Sequence, residues 1–247
     1  MSEAIQEAHE AESIEARERH AARERRLRWI ELFLVIAVAF GGFFLNSLFV
    51  LVLGTGALQH SVVPGWTRWS QAIVLEITGL SLLGYIMARR KIRFADLGLR
   101  WSFRDVGMGF LVAAGSYMVY VFGTMFIHAL QRALSFPSSG SVKAEQFLPH
   151  FSLLAIPFFL LNPFFEELIV RAYLMTEVKA LTGSWLLAAT VSTLVQTSYH
   201  LYYGWVGALS VMFQFALLSL YYARARRATP VIVAHAIFDW WGLLRMW

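Results

Sequence analysis

Long apolar runs separated by short polar or basic segments make up most of the chain after residue 28. A helix needs about 20 residues to cross a hydrocarbon core, and most of these runs approach or exceed that length. The alternating pattern of a membrane β-barrel is absent, so helices must satisfy the backbone in lipid. We therefore predict an all-α, polytopic transmembrane helical bundle of about seven spans. The predicted spans cover residues 29–53, 69–88, 106–130, 151–179, 184–199, 205–222 and 230–246.

Composition supports this prediction. Of the 247 residues, 58% are hydrophobic and only 15% are charged, with a mean hydropathy of +0.56. We expect a multi-pass protein of the cell membrane, with one membrane-embedded domain over residues 29–247 and its core motifs within residues 160–240. A charged segment, residues 1–28, precedes that domain.

The segment 1–28 is acidic at first and then basic. Its arginines are Arg17, Arg19, Arg23, Arg25, Arg26 and Arg28. A basic cluster next to a span is typical of the cytoplasmic side and attracts anionic lipid. We expect an exposed helix or a frayed tail that contacts anionic lipid, and a solvated charge run without function is the alternative.

Further basic clusters follow the second span, at residues 89–93, and separate the last two spans, at residues 224–227. Their positions also predict a cytoplasmic amino terminus. The net charge of +5 comes from arginines that flank apolar segments, so we predict no nucleic-acid partner. The chain has no cysteine, which excludes disulfides, a thiol nucleophile and thiolate metal ligands.

Three ionisable residues interrupt the fourth apolar run: Glu166, Glu167 and Arg171. Charges at membrane depth are costly and usually functional. Glu167 and Arg171 are four residues apart, so on a helix they can form an ion pair. Glu166 then remains as a candidate base facing a cavity, although all three could instead form a structural ion-pair cluster. Pro157 and Pro163 predict kinks just before these carboxylates.

Other ionisable residues lie in nearby spans. His200 ends the fifth run, and His235 and Asp239 share one face of the seventh because they are four residues apart. Asp239 can orient the imidazole, or both can point into one cavity. Glu76, in the second span, can either pair with the catalytic region or be a structural carboxylate with its hydrogen bonds satisfied, and we favour the second interpretation because no other chemical group accompanies it. Span counting places His200 near the outer surface and His235 nearer the inner one, so the fifth span must be broken or the boundaries must shift.

Several hydrolase chemistries do not fit these residues. No Gly-x-Ser-x-Gly elbow is present, the aspartates needed for an intramembrane aspartyl dyad are missing, and no His-Glu-x-x-His motif occurs. Glutamate and histidine chemistry remains, with a carboxylate as general base towards water and the histidines as helpers or metal ligands.

The pattern Glu166-Glu167-x-x-x-Arg171, then His200, then His235-x-x-x-Asp239, resembles the CPBP family of CAAX prenyl proteases and bacteriocin-processing enzymes, over roughly residues 95–245. The resemblance implies a helical membrane bundle enclosing a polar catalytic cavity.

It also implies endopeptidase activity in which Glu166 and His200 activate water. His235 and Asp239 would stabilise the oxyanion, with Glu167 and Arg171 in supporting roles. The chain departs from the family pattern twice, because Gln196 stands where the second motif usually has Phe, and Asp239 stands where Asn is often found.

Two functions follow as hypotheses. The first is a membrane-embedded endopeptidase acting on a membrane-associated peptide or protein. The second is a non-proteolytic membrane immunity or scaffold protein that binds a peptide or protein partner. Two histidines and a glutamate are enough ligands for an open zinc site, but the resemblance favours no metal, so we expect no cofactor.

Overall fold

The computed structural model describes residues 2–53, 65–135 and 152–244, and these residues form helices and short connections with no strand among them. The loops predicted near residues 54–64 and 136–150 lie outside the described residues, as do residues 245–247. The all-α prediction is confirmed.

Eight α-helices are described, two of which are joined without interruption by a π-helical segment. They are α1 (Ser2–Leu53), α2 (Gly65–Arg89), α3 (Phe103–Ala133), α4 (Ala155–Glu166), the π segment (Glu167–Tyr173), α5 (Leu174–Thr182), α6 (Trp185–Tyr199), α7 (Gly204–Ala225) and α8 (Ala228–Leu244). Since α4, the π segment and α5 are continuous, the described chain contains seven helical segments.

Four of the described segments are long and apolar enough to cross a membrane: Ser13–Phe49, Trp66–Arg89, Phe103–Ala133 and Leu201–Ala225. Helix α8 is apolar but shorter. Helix α6 has 15 residues, so at 1.5 Å per residue it extends only about 22 Å, against about 30 Å of hydrocarbon. The helical membrane bundle is confirmed, but not every predicted run is a full-length span.

By internal contacts the chain separates into two units, residues 1–34 and residues 35–247. The first unit is the amino-terminal part of α1. Its described side chains from Ser13 to Arg26 are exposed, and Arg19 pairs with Glu15 one turn away at 3.2 Å. Of the two predicted forms, exposed helix or frayed tail, the structure shows the helix.

In the second unit, α2 runs parallel to α4 and packs against it. The Trp69 ring contacts the Phe159 ring at one level, with 5.7 Å between centroids. Ten residues further along α2, Gly79 lies so close to Phe165 that a Cβ would be 2.7 Å from the ring. These two contacts fix which face of α2 points towards the central carboxylates on α4.

Helix α3 packs against both α7 and α8. The turn that precedes it, Phe94–Leu97, is closed by Asp96, whose carboxylate accepts hydrogen bonds from Arg93. This hydrogen bonding holds the pKa of Asp96 below its ordinary value. The next residue, Gly98, accepts a 2.9 Å hydrogen bond from the Ala228 amide. The start of α8 is therefore attached to the connection between α2 and α3.

The chain breaks where α6 ends. His200 caps the helix, a 3-10 turn covers Leu201–Tyr203, and α7 begins at Gly204. Because α6 is short and stops at His200, the imidazole can lie at the same level as His235 on α8. This break accounts for the conflict in depth that simple span counting produces.

Candidate active site

The central carboxylates lie where the helix changes from α to π geometry. The Leu174 amide bonds the Ile169 carbonyl five residues earlier, which is the π pattern. Carbonyls displaced in such a segment need other partners inside a membrane. The Ser192 hydroxyl donates to the Val170 carbonyl at 2.8 Å, and the Tyr222 hydroxyl lies 3.3 Å from the Ala172 carbonyl. The neighbouring helices therefore stabilise the irregular backbone.

The two prolines predicted to kink this region differ in position. Pro163 lies inside α4, four residues before the π segment, so an irregularity does follow it. Pro157 is the third residue of α4. A proline in the first turn interrupts no helical hydrogen bond. The predicted kink at Pro157 is therefore wrong.

Glu166 is buried, with 8% of its surface exposed. Its Oε2 accepts hydrogen bonds from Gln196 Nε2 at 2.7 Å and from the Tyr199 hydroxyl at 2.8 Å. No described residue donates to Oε1. One oxygen is thus fixed by two donors and the other remains available.

Tyr199 is itself held firmly by α1. Its ring stacks on Phe40 with 4.6 Å between centroids and 9° between planes. Its carbonyl accepts a 2.8 Å hydrogen bond from the Ser47 hydroxyl. Side chains from α1 therefore fix the position of a hydroxyl that binds Glu166.

Glu167 joins the π segment to α8. Its Oε1 accepts a hydrogen bond from Arg171 Nη1 at 2.8 Å and lies 2.7 Å from His235 Nδ1. The Glu167 and Arg171 side chains are fully buried. Arg171 also faces the Phe215 ring at 5.6 Å from its centroid. The predicted i,i+4 ion pair is present.

His235 lies between two carboxylates. Its Nδ1 faces Glu167, whereas its Nε2 is 3.4 Å from Asp239 Oδ1. Asp239 in turn accepts a 2.9 Å hydrogen bond from Asn162 Nδ2. The closest contact of His235 is with Glu167, so this residue orients the imidazole more directly than the predicted Asp239 does.

His200 borders a cavity of about 160 Å³. His200, His235 and Asp239 all line this cavity, with Gln214, Phe215 and Phe238 among the other lining residues. His200 Nδ1 is 2.9 Å from the Gln196 carbonyl, an atom that only accepts. In the neutral ring Nδ1 therefore bears the hydrogen, and Nε2 keeps its lone pair.

Glu76 belongs to the same region. It lies between the two contacts that join α2 to α4 and interacts electrostatically with Glu166, Asp239 and His235. Only 1% of Glu76 is exposed, and neither carboxyl oxygen has a hydrogen-bond partner among the described residues. The interpretation of Glu76 as a satisfied structural carboxylate is wrong.

Of the six predicted site residues, His200, His235 and Asp239 line the cavity, Glu167 and Arg171 lie in the π segment, and Glu166 directly precedes it and interacts electrostatically with both histidines. Sequence reasoning did not assign partners for the two carboxylates, namely Gln196 and Tyr199 on Glu166 and Asn162 on Asp239. The sequence spacing did contain a signal for these partners. Gln196 lies four residues before His200 and Tyr199 one residue before it, whereas Asn162 lies four residues before Glu166. Their roles depend on tertiary contacts, which spacing alone does not reveal.

The same cluster bears on the predicted absence of a metal. Within residues 2–53, 65–135 and 152–244, no group of three or more His, Asp or Glu side chains is arranged to hold a metal ion. Both ring nitrogens of His235 already face carboxylates, and Nδ1 of His200 faces a carbonyl. Of the three ligands considered for zinc, His235 therefore faces carboxylates at both ring nitrogens, whereas His200 Nε2 and Glu166 Oε1 have no partner among the described residues.

These features define a helical membrane protein with a buried glutamate–histidine centre. Residues 148–241 match the family model of the Rce1-like proteins, described as type II CAAX prenyl endopeptidase Rce1-like. The matched segment contains all six predicted site residues and confirms the resemblance to the CPBP family. No curated protein and no solved structure matches the chain.

Proposed function

We propose that the protein is a membrane-embedded endopeptidase that hydrolyses a peptide bond by means of water activated at Glu166. The observation that carries the proposal is the arrangement at Glu166, where two donors hold Oε2 and Oε1 is left for a water molecule. The match to the Rce1-like family supports a CAAX protease-like enzyme.

In the proposed reaction, Glu166 Oε1 accepts a proton from water while the water oxygen bonds to the substrate carbonyl carbon. His200 Nε2 accepts a hydrogen bond from the same water and orients it. The negative charge that develops on the carbonyl oxygen is stabilised by the Nε2–H of His235. Because Nδ1 donates to Glu167, this role needs the imidazolium form, which the two facing carboxylates favour.

The tetrahedral intermediate then collapses. Its C–N bond breaks, and the proton held by Glu166 passes to the departing amine nitrogen, so the carboxylate is regenerated. Glu167 holds His235 through Nδ1, and Arg171 offsets the buried charge of Glu167. No step in this sequence requires a metal ion, so we expect EDTA to leave the rate unchanged.

The substrate that we propose is a peptide or protein attached to the membrane. The cavity beside His235 is small, but Phe238 also lines an apolar groove of about 360 Å³ between α3 and α8. The other wall of the groove includes Phe110, Ala113 and Tyr117. An apolar group of the substrate can lie in this groove while its peptide bond reaches the polar cavity.

The test compares the wild type with Glu166→Gln and His235→Ala, using a library of membrane-anchored peptides analysed by mass spectrometry. We expect wild-type cleavage, and loss of cleavage in both variants while each elutes as a folded protein. The matched control is Ser198→Ala on α6, which should remain active, because among the described residues the Ser198 hydroxyl bonds only the Val195 carbonyl. Cleavage by Glu166→Gln at the wild-type rate would refute the mechanism.

The same experiment separates the enzyme from the immunity or scaffold protein considered as an alternative. Peptides retained by the wild type are eluted and sequenced alongside the products. Retention without any product, in the wild type and the variants alike, would support the binding protein. Product formation that depends on Glu166 would exclude it.

A further inference from the structure

A second cavity, of about 750 Å³, lies between the beginning of α3 and the end of α7. Its polar part contains Arg104, Arg224, Arg227 and Tyr221, whereas Leu217 and Leu220 contribute to its apolar wall. It shares no lining residue with the cavity beside His235. The proposed hydrolysis of a peptide bond does not involve this cavity.

The charges around this cavity are not balanced. Arg227 forms an ion pair with Asp105, the only carboxylate among the lining residues, and the Asp105 carboxylate also accepts a 2.6 Å hydrogen bond from Ser102. Among the described residues, no carboxylate forms an ion pair with Arg104 or Arg224. Two guanidinium groups therefore remain to bind an anion.

The position of the cavity indicates the kind of anion. The candidate membrane span of α3 begins at Phe103, and that of α7 ends at Ala225, so Arg104 and Arg224 lie at the ends of their spans, where the head groups of a bilayer are expected. Leu217 and Leu220 lie about one to two turns deeper along α7. A phospholipid has the same order of groups, with its phosphate at the membrane boundary and its acyl chains deeper in the bilayer.

We propose that this cavity binds an anionic phospholipid of the surrounding bilayer. The phosphate bonds Arg104 and Arg224, and one acyl chain lies along Leu217 and Leu220. Basic pockets between membrane helices are known to bind anionic head groups. A zwitterionic choline lipid fits less well, because its ammonium group would need a carboxylate and Asp105 is already paired with Arg227.

This site differs from the basic cluster of residues 17–28, whose arginines all lie on one helix, whereas Arg104 and Arg224 lie on two helices and border one cavity. Such a cluster attracts a charged surface without selecting one molecule. The cavity between α3 and α7 has two arginines, one from each helix, beside an apolar wall, so it should retain a single lipid after the bilayer has been removed.

The test is native mass spectrometry of the full chain, released from bilayers that contain equal amounts of phosphatidylglycerol and phosphatidylcholine. We expect the wild type to retain one phosphatidylglycerol in preference to phosphatidylcholine. The double variant Arg104→Gln/Arg224→Gln should retain at least about tenfold less phosphatidylglycerol than the wild type. Arg224→Glu alone should reduce the retained lipid by a similar factor. Excess inorganic phosphate should not displace the lipid.

The matched control is Arg132→Gln, which removes an exposed arginine from the opposite end of α3 and should retain the lipid as the wild type does. The proposal is overturned if the wild type retains no phosphatidylglycerol, or if the double variant and Arg224→Glu retain as much as it does. Equal loss in Arg132→Gln would show a general charge effect, and displacement by phosphate would show a site for free anions. Either result would also refute the proposal.

Discussion

Gln196 Nε2 donates a 2.7 Å hydrogen bond to Glu166 Oε2 across the interface between α6 and the helix that carries the central carboxylates. In the family that the sequence resembles, this position is usually Phe, which has no donor. The substitution therefore adds a polar contact to the proposed base instead of merely changing the lining of a pocket. Together with the Tyr199 hydroxyl, it determines which oxygen of Glu166 faces the proposed water.

Replacing Gln196 with Leu should lower kcat/KM by about tenfold to a hundredfold. A hydrogen bond to a charged group contributes about 1.5 to 3 kcal/mol, and each 1.4 kcal/mol or so is a factor of ten in rate. The measurement is peptide cleavage by purified Gln196→Leu in detergent, with Ser198→Ala on the same helix as the control. Activity equal to the wild type would show that the Tyr199 hydroxyl holds Glu166 without help.

Arg171 should matter more for stability than for any catalytic step. Its guanidinium is fully buried against Glu167. Removing one member of a buried pair typically costs about 3 to 5 kcal/mol, because the remaining charge is left without its partner. Arg171→Met should therefore lower the thermal unfolding midpoint strongly. The double variant Arg171→Met/Glu167→Gln should recover part of that loss.

A surface pair provides the control for this prediction. Arg93 and Asp96 lie 3.1 Å apart but are largely exposed to solvent. Water screens such pairs, so Arg93→Gln should leave the unfolding midpoint nearly unchanged. If Arg171→Met were equally harmless, the buried pair would not be stabilising the π segment.

Helix positions could be predicted from the sequence because long apolar runs and their basic flanks report directly on membrane spans. The run predicted at residues 184–199 corresponds to α6 at Trp185–Tyr199. The π segment was not predicted, because Pro163 marks an irregularity without specifying its geometry. The four-residue spacings of Glu167 with Arg171 and of His235 with Asp239 correctly placed each pair on one helix face.

Contacts between distant parts of the chain do not follow from the spacing of residues along one helix. Asn162 and Asp239 are 77 residues apart in sequence and meet only because α4 packs against α8. Likewise, the surroundings of Glu76 decide whether its carboxyl oxygens have hydrogen-bond partners. The sequence shows only that a carboxylate lies inside a span. Partners of buried polar groups therefore had to come from the structure.

Gly98 should be sensitive to substitution for two separable reasons. It adopts a φ of +81°, and a Cβ there would collide with the Arg226 carbonyl. Gly183 has the same φ of +81° but open space around it. Left-handed backbone costs a non-glycine residue about 1 to 2 kcal/mol, and overpacking adds about 1 to 3 kcal/mol.

We therefore expect both Gly98→Ala and Gly183→Ala to lower the thermal unfolding midpoint, with the larger decrease at Gly98. The difference between the two variants isolates the contact between Gly98 and the start of α8. Equal decreases would mean that the chain near Arg226 moves aside at little cost.

We expect the Glu76 side chain to lower the stability of the folded protein. Its carboxyl group is buried, has no hydrogen-bond partner among the described residues, and lies in the field of Glu166 and Asp239. An unsatisfied buried polar group costs about 1 to 3 kcal/mol. Glu76→Gln keeps the shape of the side chain and removes any repulsion between carboxylates, so it should raise the thermal unfolding midpoint.

Glu177 is the matched control, because it is equally buried at 1% exposure but pairs with Arg90 at 3.0 Å. Glu177→Gln should lower the unfolding midpoint by weakening that pair. Stability and function often oppose each other at active sites. A more stable Glu76→Gln that also cleaves peptides more slowly would identify Glu76 as a functional member of the site, whereas a less stable variant would show that its carboxyl group is satisfied after all.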